Sequence, residues 1–154
     1  RDLDGLVGSE MCIRDSVRTD AAIFRGADRA NAERLSARFA FTLRNDDGLT
    51  IVDWSETFRN LQEPDWMDGI PPGDLLLAFL LSMARALAET AEVAAAQTGR
   101  RTVVLSGSLF FNRTLSDLAQ EQLEQRGFRV FMHETTSPDQ SSVCIGQAVF
   151  GGMS

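Results

Sequence analysis

The pattern of apolar and polar residues along the chain predicts a β-hairpin followed by a short helix. Residues 38–43 and 49–52 have strand character and flank the turn sequence at 45–48, Asn-Asp-Asp-Gly. A short helix is expected over 54–61, and a loop with three of the four prolines follows at 63–73. The first part of the chain therefore predicts an antiparallel pair of strands covered by helical segments.

The second part of the pattern predicts a long helix and then two strands that alternate with helices. Asp74 is the expected N-cap of the long helix, which runs to about Thr98 and is closed by Gly99. The further elements are a strand over 102–106, a helix over about 112–126 with Gly127 behind it, a strand over 128–133 and a helix over about 142–150. The order β-β-α-α-β-α-β-α predicts an α/β domain whose helices cover the sheet.

The first 37 residues lack such a pattern. Residues 1–16 have no sustained period, and their last nine residues resemble translated sequencing-adaptor read-through, which predicts a non-native or disordered leader. We accordingly expect the protein's own N-terminal part to be missing. Residues 17–37 are polar and rich in alanine, which predicts a weakly structured lead-in. The domain itself is predicted to span 38–152.

Composition and charge narrow the possible partners. The net charge of −7 leaves no basic surface that could neutralise phosphates, so no nucleic-acid partner is expected. The most apolar run, residues 75–81, is much shorter than a membrane span, so no membrane partner is expected. Two cysteines form neither a disulfide framework nor a zinc site, and nothing indicates secretion. A cytoplasmic location is therefore predicted.

The turn after the strand at 102–106 carries the most informative chemistry. Ser106-Gly107-Ser108 ends an apolar run, and Asn112 can cap the helix that follows. A strand, a glycine turn and a helix start are typical of ligand sites in α/β sheets, because N–H groups at the helix end and the bare glycine backbone face the ligand. An ordinary buried strand with a tight turn is the alternative interpretation.

Three blocks of sequence, taken in order, resemble the C-terminal part of the carbamoyltransferase family that matures nickel–iron hydrogenases (HypF). Residues 47–54 are similar to the family's D-G-L-x-x-x-D-W, and residues 103–113 to V-V-L-S-G-G-V-F-Q-N-R. In the third block, residues 127–130 are similar to G-F-x-V and residues 137–148 to P-P-N-D-G-G-L-A-L-G-Q-A. The spacing also matches, so the resemblance extends over residues 38–152.

The resemblance implies the C-terminal lobe of an actin-like, ATPase-type (ribonuclease H-like) fold, with a mixed sheet covered by helices. Members of the family make carbamoyl-adenylate from carbamoyl phosphate and ATP. Their actin-like domain passes the carbamoyl group to the C-terminal cysteine of a partner hydrogenase maturation protein, and the group becomes the cyanide ligand of the iron. ATP or carbamoyl-adenylate is thus the implied ligand, with a divalent metal in the intact protein, and the chain alone is expected to be inactive.

The candidate site residues follow from this resemblance. The candidates for nucleotide binding are Gly107, Ser108, Asn112, Arg113 and Gly146. Gly107 would give access to the backbone and Arg113 would supply charge to a phosphate, although Asn112 can equally be a plain N-cap and Arg113 a solvated surface charge. Asp139 is the candidate metal ligand, and no catalytic residue is assigned. His133 is interpreted as structural, and Cys144 as a buried small apolar residue.

Several positions depart from the family pattern. Ser108 replaces the second glycine of the turn and is expected to disfavour a positive φ, and Phe111 replaces a glutamine. Gln140 stands where the family has an aspartate thought to bind metal, and a neutral amide is a poorer ligand than a carboxylate. Asp139 could replace that aspartate only if the loop shifts. The family's glycine pair is Ser141-Ser142 here, and its paired metal histidines are absent from this chain.

Two further functions remain open. The first is a non-catalytic actin-like module that binds a nucleotide or a partner without turnover, which the lost aspartate and glycines favour. The second is the C-terminal lobe of a sugar or acetate kinase, in which a similar glycine turn touches adenosine. The Phe-x-Asn-Arg sequence at 110–113 and the Gly-Gln-Ala sequence at 146–148 fit the kinase less well.

Overall fold

A computed structural model describes residues 26–133 and 143–152. Its helices are α1 (Arg29–Leu35), α2 (Ser55–Leu61), α3 (Pro72–Thr98), α4 (Arg113–Gln125) and α5 (Val143–Gly151). Its strands are β1 (Thr42–Asp46), β2 (Leu49–Asp53), β3 (Thr102–Leu105) and β4 (Arg129–Met132). This order confirms the predicted α/β class and adds α1 in front of it. None of the described helices combines the length and apolar character needed to cross a membrane.

The hairpin of β1 and β2 forms where the sequence predicts it. The two strands pair antiparallel over their full length. Asp47 (φ 46°) and Gly48 (φ 85°) form the turn in the left-handed conformation, which aspartate and glycine tolerate better than most residues. The Asn45 side chain accepts a hydrogen bond from the Gly48 N–H at 3.1 Å. The first strand begins at Thr42 instead of residue 38, because a 3-10 turn occupies residues 36–38.

The second pair of strands is parallel and is connected through α4. Thr102 lies opposite Arg129 and Leu105 opposite Met132, so the carboxyl ends of β3 and β4 meet at the same edge. Among the described residues, the antiparallel and parallel strands form two separate two-stranded sheets. The mixed sheet that the resemblance implies is therefore present here as two parts.

Helix α3 is the centre of the core, and its start differs from the prediction. The helix begins at Pro72 because proline suits the first helical turn, where its missing N–H is not needed. Asp74, the predicted N-cap, is instead buried within that turn. Its carboxylate accepts hydrogen bonds from the Asp28 N–H at 2.8 Å and from the Asn31 amide at 2.6 Å. These bonds tie α1, which lies in the predicted weakly structured lead-in, to α3.

Helix α3 packs between α1 and α4. The side chains that α3 buries in the hydrophobic core are mostly leucine and alanine. The buried residues that α3 contributes to this core are Leu77, Ala78, Leu80, Leu81, Ala84, Ala88 and Ala95. The helix ends as predicted, because Gly99 takes a left-handed φ of 69° and donates its N–H to the Ala95 carbonyl at 2.8 Å.

Aromatic side chains pack the hairpin against α3. Phe39 packs edge-on against Trp66 and Phe79, with ring centroids 5.9 and 5.6 Å apart. Trp54, which follows β2, lies 5.3 Å from Phe41 and 6.2 Å from Phe79. We refer to these five residues as the aromatic cluster.

Candidate functional site

The glycine turn after β3 needs one glycine and tolerates a serine beside it. Gly107 has φ 108° and ψ 160°, a conformation that is essentially restricted to glycine. A Cβ at this position would meet no atom within 4 Å, so glycine is required for its backbone freedom and not for space. Ser108 starts the 3-10 turn Ser108–Phe111 with an exposed side chain. Among the described non-glycine residues only Asp47 has a positive φ, so the expected strain at Ser108 is absent.

Asn112 is the N-cap of α4, as the sequence predicts. Its backbone is extended, and its side-chain oxygen accepts a hydrogen bond from the Leu115 N–H at 2.9 Å. The hydroxyl of Ser116 donates to the Phe110 and Asn112 carbonyls, at 3.0 and 3.1 Å. These local bonds determine how the 3-10 turn enters the helix, and they use the side-chain oxygen of Asn112 for the cap.

A cavity of about 300 Å³ opens at the carboxyl ends of β3 and β4, and we refer to it as the carboxyl-edge cavity. Its lining combines apolar, aromatic and charged side chains. The lining residues are Leu105, Phe110, Phe111, Arg113, Ser116, Asp117, Met132 and His133. Of the predicted turn residues, Arg113 lines the cavity, whereas Gly107, Ser108 and Asn112 belong to the backbone that carries Phe110 and Phe111 into its wall.

His133 joins the ends of the two parallel strands. Its Nε2 lies 3.1 Å from the Ser106 hydroxyl oxygen, across 27 residues of sequence. Neither this pair nor Asp117 was predicted from the sequence. The signal was present, because Ser106 and His133 each follow the last residue of a strand and parallel pairing brings these positions together. The prediction that His133 has only a structural role therefore did not include its position in the cavity lining.

The charges of the cavity lie on α4. Arg113 and Asp117 are four residues apart, so they lie on the same face of the helix. Both are exposed, and neither forms an ion pair within the part of the chain that the structure describes. The guanidinium of Arg113 is thus available to a negatively charged ligand, and Asp117 is the carboxylate nearest to it in the lining.

A second cavity, of about 530 Å³, lies between β2, α3 and β3 and has a different character. Its walls come from Val52, Trp54, Thr102 and a stretch of α3, and none of its described lining residues is ionisable. Such a surface can hold apolar groups but supplies neither a proton donor nor a charge for catalysis. The carboxyl-edge cavity lies at the strand ends and contains Arg113 and His133, so it is the candidate functional site.

The remaining predicted residues lie elsewhere. Gly146 is an exposed residue of α5 and is not part of the described cavity lining. Cys144 is exposed, so its predicted burial was wrong. Asp139 and Gln140 fall outside the described residues. Within 26–133 and 143–152 no group of three histidine, cysteine or acidic side chains is arranged to hold a metal ion.

Comparisons with known proteins agree with this description. The family model described as "carbamoyltransferase, Kae1-like domain, second subdomain" matches residues 6–147. A crystal structure of full-length HypF in its phosphate- and nucleotide-bound form is similar, with 25% identity, 78% of this chain covered and a TM-score of 0.61. This chain spans 17% of that HypF chain. The comparison with curated proteins gave no match.

Proposed function

The chain belongs to the family of Kae1-like carbamoyltransferase domains, and on this basis we propose that it binds ATP or carbamoyl-adenylate at the carboxyl-edge cavity. In the intact protein the carbamoyl group would pass from carbamoyl-adenylate to the C-terminal cysteine of a partner hydrogenase maturation protein. The product would become the cyanide ligand of a nickel–iron hydrogenase. The 154-residue chain corresponds to one part of that enzyme.

The observation that carries the proposal is the composition of the cavity at the strand ends. Open α/β sheets bind ligands outside the carboxyl ends of their strands. Here that position combines the guanidinium of Arg113 with the aromatic faces of Phe110 and Phe111. An aromatic face can stack on a base and a guanidinium can bind a phosphate, so the lining suits a nucleotide. The similar HypF structure contains a nucleotide, which supports nucleotide binding by the intact protein.

Arg113 would also assist the chemical step. When a thiolate attacks the carbamoyl carbon, an S–C bond forms and the bond from that carbon to the phosphate oxygen of the adenylate breaks. The electron pair of the broken bond stays on the phosphate of AMP, which gains negative charge. A guanidinium close to that oxygen stabilises the charge as it develops. In this proposal Arg113 binds the phosphate in the ground state and supports its departure.

Isothermal titration with a non-hydrolysable ATP analogue tests the binding site. Arg113→Ala is expected to weaken binding about tenfold, because a charge-assisted hydrogen bond is lost, with little change in stability. Asn112→Ala should weaken binding together with it, and should lower the free energy of unfolding by about 1 kcal/mol through the lost cap. Ser108→Gly should leave the affinity within about twofold, since the Ser108 side chain is exposed and its φ is not positive.

The matched control is Arg100→Ala, which removes an exposed arginine outside the cavity lining. It should leave the affinity unchanged. Equal affinity of the original chain, Arg113→Ala and Asn112→Ala would contradict a nucleotide site at this turn. Equal losses in Arg100→Ala and Arg113→Ala would indicate a general charge effect instead of a site.

A binding module without turnover is the second candidate function. Gln140 and Ser141-Ser142, which replace the aspartate and glycines of the family's metal-binding block, favour it. Carbamoyl-transfer assays on the intact protein separate the two candidates. Nucleotide binding without transfer to a cysteine-terminated peptide would support the module, and transfer would support the enzyme.

A further inference from the structure

Ser106 and His133 form a polar pair, and neither residue has a role in the proposed function. Each residue directly follows a strand, and Leu105 lies opposite Met132 in the parallel register. The pair is therefore held at a junction between two strands. Both residues are exposed. His133 lines the carboxyl-edge cavity, and the Ser106 hydroxyl lies beside it, 3.1 Å from the His133 Nε2.

The chemistry of the three polar groups at this edge favours one class of ligand. The guanidinium of Arg113 only donates hydrogen bonds, the Ser106 hydroxyl donates or accepts, and an imidazole nitrogen can donate. A phosphate carries negative charge and several acceptor oxygens, so it can satisfy all of these groups at once. A neutral ribose or base offers fewer acceptors and no charge.

Asp117 limits where the phosphate can lie. It is the carboxylate of the described cavity lining and lies four residues from Arg113 on α4. A phosphate beside the Asp117 carboxylate would meet a like charge, whereas the strand ends contribute His133 to the lining and, bonded to it, Ser106, neither of which is negatively charged. The charge distribution therefore directs the phosphate toward the strand ends.

We propose that Ser106 and His133 bind the phosphate group of the nucleotide and that they determine the preference for AMP-type ligands over nucleosides. The inference rests on the proposed function, because it assigns parts of the ligand to parts of the same cavity. It makes His133 a specificity residue for the phosphate. The base would then contact the aromatic side chains of the lining, Phe110 and Phe111.

The test compares AMP with adenosine by isothermal titration. Loss of one phosphate contact should reduce the ratio of the AMP affinity to the adenosine affinity about fivefold to tenfold in His133→Ala and about threefold in Ser106→Ala. The adenosine affinity itself should stay within about twofold. Arg129→Ala is the matched control, because it removes an exposed cation at the other end of β4 and should leave the ratio unchanged.

The original chain provides a second measurement that needs no variant. His133 is the single histidine of the sequence, so its imidazole proton signals in an NMR spectrum are assigned without ambiguity. These signals should move when AMP or inorganic phosphate is added and stay in place with adenosine. The NMR titration therefore tests whether the phosphate contacts His133 even if His133→Ala fails to fold.

The outcomes separate the two proposals. If AMP binds with measurable heat while the imidazole signals stay in place, the phosphate assignment is overturned and the nucleotide site stands. If no nucleotide binds but inorganic phosphate moves the signals, the proposed nucleotide site is overturned; the pair then binds phosphate alone, and its role in preferring AMP over nucleosides is overturned as well. If neither ligand has any effect, both proposals are overturned.

Discussion

The two blocks of sequence that carry most of the family resemblance play different parts in the molecule. In residues 47–54 the polar side chains serve the fold, because Asp47 forms the hairpin turn and Asp53 binds the start of α2. In residues 103–113 the backbone is equally constrained, but Arg113 faces a cavity. A motif can therefore identify a family through residues that only shape the fold. The structure shows which of the motif residues line a cavity, and among them Arg113 carries a charge.

The aromatic residues of the two regions differ in the same way, because one region buries a ring in the core and the other exposes a ring beside the cavity. Phe39, in the aromatic cluster, is 5% exposed and contacts two other rings. Phe111, in the cavity wall, is 41% exposed. A buried ring contributes stability through the apolar area it removes from water, whereas an exposed ring beside a cavity offers that area to a ligand.

The largest expected effect is on Phe39. Phe39→Ala should lower the free energy of unfolding by about 3–5 kcal/mol, because a buried ring is lost and leaves a cavity. Phe111→Ala should lower it by less than about 1 kcal/mol and should weaken binding of the ATP analogue. Urea unfolding and isothermal titration of both variants measure these changes. If Phe111→Ala destabilised the chain as much as Phe39→Ala, the contrast between the two regions would fail.

An intermediate effect is expected at the glycines of the two turns. Gly107→Ala should lower the free energy of unfolding by about 1–3 kcal/mol, because its φ of 108° and ψ of 160° are costly for a residue with a Cβ. It should also weaken nucleotide binding, since the turn carries Phe110 and Phe111 into the cavity wall. Gly48→Ala, at φ 85° in the hairpin, should destabilise the chain and leave the affinity unchanged. Weaker nucleotide binding by Gly48→Ala would contradict the separation of the two regions.

The smallest expected effect is the pH dependence of Asp53. The Ser55 hydroxyl and N–H donate to its carboxylate at 2.5 and 2.9 Å, and Arg44 lies 2.9 Å away. These contacts hold the pKa of Asp53 below its usual range, with the Ser55 hydroxyl bond as the largest cause. A lowered pKa means that the stabilisation is present above the unfolded value of about 4 and is lost as the pH falls through the lower, folded value.

Asp53→Asn tests this effect, because the asparagine side chain keeps an acceptor oxygen for the Ser55 donors but carries no charge. The urea midpoint of the original chain should fall more steeply below about pH 4 than that of the variant. Nucleotide affinity at pH 7 should be the same in both chains. Identical acid profiles would show that the Asp53 charge does not contribute to stability.

The sequence predicted those features that a few neighbouring residues determine. The hairpin turn at 45–48, the cap by Asn112 and the left-handed Gly99 all depend on bonds within about four residues, and all were predicted. Asp74 was predicted incorrectly as a cap, since its partners Asp28 and Asn31 lie more than forty residues away. Local propensity contains no information about such a partner.

The residues of the candidate site also fall into those that the sequence predicted and those that depend on the tertiary structure. Gly107 and Arg113 belong to a continuous strand–turn–helix segment, so their chemistry could be inferred from their order in the chain. The pairing of His133 with Ser106 depends on β3 and β4 lying side by side, which α4 and its packing on α3 bring about. The two strands were predicted, but their pairing side by side in parallel was not, and without that pairing the position of His133 does not identify Ser106 as its neighbour.

The sequence by itself determined the family, the order of helices and strands and the turn that carries the candidate site, because these depend on residue types at short and regular spacings. Only the tertiary structure decided that α1 is tied to α3, that Phe39 is buried and Phe111 exposed, and that His133 lies in the cavity. The physical reason is that burial and long-range hydrogen bonds arise when distant segments pack together, and a linear pattern does not contain the distances between them.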